Sequence, residues 1–287
     1  MNSSMLLSIT TFVYALASVF YIASWTFKKD ILSKTGMFIL VAGFTGNTVG
    51  IVLRWIESYQ LGYGRAPLTN MYESLVFFSW TMAALYLFVE YKYRERIIGV
   101  FATPLIFLAI AYASLSPSIS SRITPLIPAL QSNWLIAHVV TCFLGYAGFA
   151  VAFGFSIMYL MKPDMPGPGS LMSRLPSFDT IDELIYQMVM FGFLFLTIGI
   201  ITGSVWANSA WGTYWSWDPK ETWSLITWFV YAILIHLRLM RGWHGRRISW
   251  VSIIGFMAVL FTYFGVNLLP GLHSYAFLTL DFLPILS

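Results

Sequence analysis

An all-α, polytopic transmembrane bundle of about eight spans is the fold class this sequence predicts, and three observations carry that prediction. Of the 287 residues, 58% are apolar and only 10% charged, far less charge than a soluble domain of this length carries. The apolar residues fall into long runs, each near the roughly 20 residues needed to cross a ~30 Å hydrocarbon core. Lysine and arginine gather in alternate connections between those runs, as they do in membrane proteins. The net charge of +4 is spread over short loops and is not a nucleic-acid signal. The single cysteine, Cys142, lies inside an apolar run, so no intrachain disulfide or thiolate cluster is available.

The spans are taken as about 5–27, 36–56, 72–90, 97–115, 134–161, 184–205, 222–241 and 248–269, within one integral membrane domain covering 1–287. The first has no basic residue before it and Lys28-Lys29 after it. A signal peptide has the reverse polarity and a shorter apolar core, so this run is expected to remain as a span. The second carries Gly43, Gly46 and Gly50, and the sixth Gly192, Gly199 and Gly203, spacings that let helices approach closely. Between spans 2 and 3, glycines and Pro67 mark turns; Arg65 there could meet an anionic group, but a lone loop arginine reads more simply as solvated. The prolines of 116–133 suggest a segment lying along the membrane surface. The connection 162–183 starts irregular and ends in Thr180-Ile-Asp-Glu183, a capping box expected to start span 6.

Twelve of the sixteen basic residues fall in one set of connections: Lys28, Lys29, Lys34; Lys92, Arg94, Arg96; Lys162, Arg174; Arg238, Arg241, Arg246, Arg247. Arg54, Arg65, Arg122 and Lys220 fall in the other. The first set is expected on the cytoplasmic side, which places both termini outside, together with the connection between spans 6 and 7.

That connection, 206–223, reads Trp-Ala-Asn-Ser-Ala-Trp-Gly-Thr-Tyr-Trp-Ser-Trp-Asp-Pro-Lys-Glu-Thr-Trp. It holds Trp206, Trp211, Tyr214, Trp215, Trp217 and Trp223. Indole favours the membrane interface, so a plain aromatic belt is one reading. The density of flat rings suits a large flat apolar ligand, which is the other. Asp218-Pro219-Lys220-Glu221 sets a cap, a first-position proline and a third-position glutamate, so Asp218 is expected to start span 7. The positive helix end and Lys220 together offer a place for a carboxylate.

Four histidines remain. His138 lies one turn into span 5 and His273 just past Pro270, both on the side of the tryptophan stretch. His236 lies about one turn inside the other end of span 7, and His244 reads as a solvated loop residue. A lone histidine near a helix end is usually structural. Two on one side of an aromatic platform also form the pair that iron in a porphyrin accepts, and an ionisable group within a span, as His236 is, marks a candidate site. Glu57, Glu73, Glu90, Asp182 and Glu183 all lie near span ends, which argues against a proton-coupled transporter. No phosphate-binding loop or metalloprotease helix is present, and no catalytic residue is identified.

Trp211-Gly-Thr-Tyr-Trp-Ser-Trp-Asp-Pro-Lys-Glu-Thr-Trp223 closely resembles the tryptophan-rich WWD motif of the heme-handling proteins of cytochrome c biogenesis, in the variant of the system II CcsA/ResC family. Arg65-Ala-Pro-Leu-Thr-Asn-Met-Tyr-Glu-Ser74, Ile181-Asp-Glu-Leu-Ile-Tyr186, Gly265-Val-Asn-Leu-Leu and Leu272-His-Ser-Tyr275 are similar to further motifs of that family. Ser209 departs from it, standing where many members carry glutamate. CcmC-type proteins diverge after the aspartate and have fewer spans; CcmF-type proteins are much longer.

The resemblance implies a heme-channel and heme-presenting subunit of a cytochrome c synthase (heme lyase), with heme b as cargo. It implies His138 and His273 as axial iron ligands, His236 as a transit ligand, and Trp206, Trp211, Tyr214, Trp215, Trp217, Asp218 and Trp223 around the ring. A CcsB/ResB-type membrane partner, apocytochrome c with its CxxCH motif, and thiol-reducing thioredoxin-like proteins are the implied partners. The implied location is the bacterial inner (cytoplasmic) membrane or a thylakoid membrane. A HemX-like regulator of tetrapyrrole synthesis and a CcmC-like exporter to a heme chaperone are the alternatives.

Overall fold

A computed structural model describes residues 2–126, 128–165 and 170–271. Among the described residues the long elements are eight helices: α1 (Ser3–Phe27), α2 (Asp30–Gln60), α3 (Met71–Tyr93), α4 (Gly99–Leu115), α5 (Asn133–Met161), α6 (Phe178–Trp211), α7 (Pro219–Arg241) and α8 (Arg246–Tyr263). All eight are long and apolar enough to cross a membrane, as their composition foretells, and the chain is a multi-pass membrane protein. Several run past the apolar windows read from sequence. A helix that has left hydrocarbon keeps its backbone hydrogen bonds, so the polar ends of α2 and α6 continue the spiral.

The start of α6 corrects one expectation. Its cap is Ser177, whose Oγ accepts the Thr180 N–H at 3.1 Å, so the capping box expected at Thr180–Glu183 lies inside the helix. Asp182 is buried instead, where it fastens the neighbouring helices. Its Oδ2 pairs with Arg238 Nη1 at 2.7 Å, and its Oδ1 accepts the Gly245 N–H at 2.7 Å. His244 is the exposed loop residue expected, with its Nδ1 3.3 Å from the same carboxylate. A carboxylate holding an arginine from α7 and the first cap residue of α8 is worth more as a tie than as a helix cap.

Two glycine seams set the close helix contacts. On α2, Gly43 and Gly46 lie under Tyr14 and Thr10 of α1, and an added Cβ would come within 2.8 Å of each. Where α5 crosses α6, Gly148 faces Gly192, and a Cβ on Gly148 would sit 2.9 Å from the Gly192 backbone. Such contacts let a backbone meet a side chain at the first seam and another backbone at the second, and this close packing is a main source of helix association once lipid has removed the hydrophobic drive. Around these seams one apolar core gathers residues from every helix, among them Leu7, Leu40, Tyr86, Ile106, Phe149, Ile185, Tyr231 and Val259. Phe12, Phe38, Leu194 and Ile254 are exposed on the outer faces, where hydrocarbon chains rather than water are their natural neighbours.

Candidate functional site

At the end of the bundle where α6 meets α7, the N-terminal half of α5, the starts of α3 and α7 and the C-terminal parts of α6 and α8 line a cavity of about 560 Å³. That lies within the roughly 300–1,000 Å³ of small-molecule sites. Residues Leu68–Met71 and Thr124–Leu126 contribute the remaining wall.

The stretch 206–223 is not one loop. α6 continues to Trp211, closed by Gly212 at φ 78°, and α7 begins at Pro219, so only 212–218 leaves the helices. The reason is local. Gly212 takes the left-handed conformation at no steric cost, and Asp218 caps the next helix as expected. Its Oδ1 accepts the Lys220 N–H at 2.9 Å, and Glu221 Oε2 reaches back to the N–H groups of Ser216 and Asp218 at 2.8 and 3.3 Å. Trp217, between them, has φ 59°. A bulky residue adopts that region only when its surroundings hold it there, and the reciprocal Asp218–Glu221 cap provides the hold.

His138, one turn into α5, is placed by two glycines. Its Nδ1 lies 2.8 Å from the Gly199 carbonyl oxygen. A carbonyl only accepts, so in the neutral ring Nδ1 carries the proton and Nε2 the lone pair. A Cβ on Gly203 would lie 2.5 Å from the same Nδ1, so Gly203 is what admits the ring. The imidazole stacks on buried Trp206, with centroids 5.9 Å apart and planes 15° from parallel.

Of the residues expected at the site, His138, Trp206, Tyr214 and Trp215 line the cavity together. Trp211 packs on the edge of Trp206 at 4.8 Å, and Trp217 on the edge of Trp215 at 5.6 Å, so these two support the lining from behind. Trp223 turns to α8, its ring 4.1 Å from that of Phe261. Asp218 is buried at the cap. His236 is exposed on α7, sixteen residues beyond Lys220 and therefore roughly 24 Å along the helix. His273 lies outside the described residues.

Sequence reasoning missed the rest of the cavity. Tyr146 of α5 and Tyr263 of α8 form its inner wall, with Tyr263 Oη hydrogen-bonded to Ser74 Oγ at 2.5 Å. Nothing local distinguishes these tyrosines from other core aromatics.

Arg65 requires a correction: it is buried, 4% exposed, not solvated. Its Nη1 and Nη2 grip Glu73 at 2.7 and 3.1 Å, and Arg54 Nε binds the same carboxylate at 2.9 Å. Thr69 adds its N–H at 3.1 Å. Arg65 Nε also donates to the Thr124 carbonyl at 2.8 Å, so one carboxylate fixes both wall segments over the cavity. The signal was present in the motif, an arginine and a glutamate eight residues apart around a proline turn.

The arrangement is a roomy cavity with aromatic walls and one imidazole whose Nδ1 is held by a backbone carbonyl. The model for the "Cytochrome C assembly protein" family matches residues 68–273. The chain belongs to that family. Cytochrome c biogenesis protein CcsA of Guillardia theta is 41% identical, covering 80% of this chain and 82% of its own. CcsA of Mesostigma viride is 39% identical over 96% and 94%, and CcsA of Gloeobacter violaceus 35% over 95% and 94%. The family resemblance seen in the motifs thus extends over nearly the whole chain. Among solved structures, Cytochrome c Heme Lyase CcmF superposes with a TM-score of 0.66 at 14% identity over 93% of this chain. This chain spans 51% of that larger protein, and the likeness is one of fold.

Proposed function

We propose that this chain is the heme-handling subunit of a system II cytochrome c synthase, carrying heme b across the membrane and presenting it for attachment to apocytochrome c. The observation that carries the reading is the His138 imidazole at the aromatic cavity, with its Nδ1–H donating to Gly199. A hydrogen bond at the second nitrogen is what orients a metal-binding histidine and raises its basicity. Membership of a cytochrome c assembly family supports the same conclusion.

In this reading the chain acts as one integral membrane domain, with 206–223 as its heme-presenting stretch on the outer face. Both termini lie on that face. His138 and His273 take the two axial positions of the iron. Gly271 approaches Asp218 so closely that an added Cβ would lie 2.4 Å from its Oδ2. Trp206, Tyr214 and Trp215 face the ring; Trp211, Trp217, Trp223 and Asp218 hold them in place. His236, exposed on α7, serves as a transit ligand that a CcsB/ResB-type partner can complete. The thiols of an apocytochrome CxxCH motif, kept reduced by thioredoxin-like proteins, add across the vinyl groups of the porphyrin, forming two thioether bonds. The chain's contribution is to hold one reactant in a fixed pose and to control the iron through its axial ligands. The membrane is a bacterial inner membrane or a thylakoid membrane.

The direct test is the visible absorption of the full chain, purified in mild detergent alone and with its CcsB-type partner. A low-spin bis-histidine heme spectrum is expected. Preparations that never retain or take up heme, with the partner present, would falsify the reading, and heme passed to a soluble chaperone in place of a CcsB complex would favour an exporter. A second expectation concerns Gly203. Gly203→Ala puts a methyl group 2.5 Å from the imidazole and must turn the ring from its position. Heme affinity is expected to fall roughly 10–100-fold, the range for disturbing a ligand's supporting shell, with helix content by circular dichroism unchanged. Affinity within about twofold of the parent protein would show that the cavity ligand is held elsewhere.

A further inference from the structure

The cavity wall carries a cation that forms no ion pair among the described residues. Lys220 is the second residue of α7 and lines the cavity with His138, Trp206, Tyr214 and Trp215. Cys142 of α5 lines the same cavity, and its sulfur lies 3.6 Å from His138 Nδ1. Lys220 therefore borders the same space as the imidazole.

The two acids nearest in sequence both serve the cap of α7. Glu221 is the one acidic residue in the cavity wall, and its Oε2 accepts from the Ser216 N–H, the Ser216 hydroxyl at 3.2 Å and the Asp218 N–H. Adjacent helix positions also do not face each other. Asp218 is buried at the cap, with Oδ1 on the Lys220 backbone N–H. Among the described residues no carboxylate forms an ion pair with the Lys220 ammonium. An ammonium against leucine and aromatic walls is costly unless an opposite charge joins it. The amino end of α7 adds a further partial positive charge at the same spot, and Ser224, one turn along, adds a hydroxyl to the cavity wall.

We propose that Lys220 and the first turn of α7 form a carboxylate subsite of the cavity, which anchors a propionate of the bound porphyrin. The inference rests on the heme reading above and adds to it a fixed orientation. One carboxylate edge is drawn to α7 while the ring lies along Trp206, Tyr214 and Trp215, so the porphyrin cannot rotate freely about the iron–His138 axis. A single strong point of attachment on the rim gives the vinyl edge a constant direction, which attachment at two defined carbons requires.

The test is a binding comparison on the full-length protein, read by quenching of its tryptophan fluorescence. Hemin, hemin dimethyl ester and iron-free protoporphyrin are titrated into the parent protein, Lys220→Met and Lys220→Arg. In the parent protein the ester is expected to bind about tenfold to a hundredfold more weakly than hemin, the range for losing a charge-assisted hydrogen bond. Lys220→Met should weaken hemin and protoporphyrin by that factor and leave the ester unchanged, and Lys220→Arg should retain most of the preference for the free acid. Equal weakening of acid and ester in Lys220→Met overturns the subsite, because a packing defect does not discriminate between them. An unchanged acid-to-ester ratio overturns it as well. Parent protein that binds neither hemin nor protoporphyrin overturns the heme reading itself, whereas hemin binding with no preference over its ester leaves that reading standing and removes only the subsite.

Discussion

Replacing His138 with alanine is expected to abolish retained heme while leaving the fold in place. Among the described residues the imidazole meets the Gly199 carbonyl at 2.8 Å, the Cys142 thiol at 3.6 Å and the face of Trp206. Its removal does not strand that carbonyl, because Thr202 Oγ1 also donates to it at 3.1 Å. The cost to the fold is then the loss of one partly buried ring beside an existing cavity, about 1 kcal/mol or less. The cost to the ligand is much larger. Disturbing only the supporting shell of a metal ligand lowers affinity 10–100-fold, so removal of the ligand itself should exceed about 100-fold. Yields of mature cytochrome c should fall in parallel. Added imidazole fits the vacated space and should restore the low-spin spectrum in His138→Ala. Heme retained at parental levels without imidazole would refute the ligand assignment and shift attention to His236.

Glu73→Ala is expected to damage the protein by another route. The side chain is fully buried and neutralises two arginines whose own side chains are 3% and 2% exposed. Without it, two buried guanidinium groups face each other with no counter-charge. Breaking a buried ion pair costs about 3–5 kcal/mol, which corresponds to a midpoint of thermal unfolding lower by roughly 10 °C. The loss should appear first in the wall segments that the cluster ties down. Arg65 reaches the Thr124 carbonyl and Arg54 the Arg122 carbonyl at 3.4 Å, so both should become protease-sensitive before the bundle unfolds. Glu73→Gln keeps the shape but not the charge and should destabilise nearly as much. Unfolding midpoints within 1 or 2 °C of the parent for both variants, by differential scanning fluorimetry in detergent, would show the cluster to be dispensable.

Some of this molecule can be read along the chain, because the physics concerned is local. Crossing hydrocarbon demands a run of apolar residues, and the eight runs became eight helices. Asp218-Pro219-Lys220-Glu221 caps α7 because a cap needs only neighbours three residues apart. The tryptophan stretch read less well as a unit. Gly212 and Asp218 divide it between two helices and a seven-residue connection, and a ring's direction follows from which of these carries it. Trp206 and Trp215 reach the cavity, while Trp223, on the first turn of α7, is turned to Phe261.

What lies opposite a residue in space follows from packing, and here the sequence was least informative. Arg65 was expected to be solvated because isolated loop arginines usually are; the fold brings Glu73 and the Thr124 carbonyl to it and buries the arginine and the glutamate. Thr180–Glu183 reads as a cap, yet the chain starts α6 three residues earlier, and Asp182 becomes the tie between α6, α7 and the start of α8. His138 carries the same ambiguity in isolation. Only the close approach of α5 to α6, opened by Gly199 and Gly203, assigns its Nδ1 proton to a carbonyl and turns the ring to the cavity. By itself, then, the sequence determined the number of helices, the cap of α7 and the family to which the chain belongs, since those depend on composition and short spacing. The tertiary structure decided which histidine meets which aromatic wall and which charges neutralise one another, since groups far apart in sequence are matched only when the glycine seams allow the helices to close.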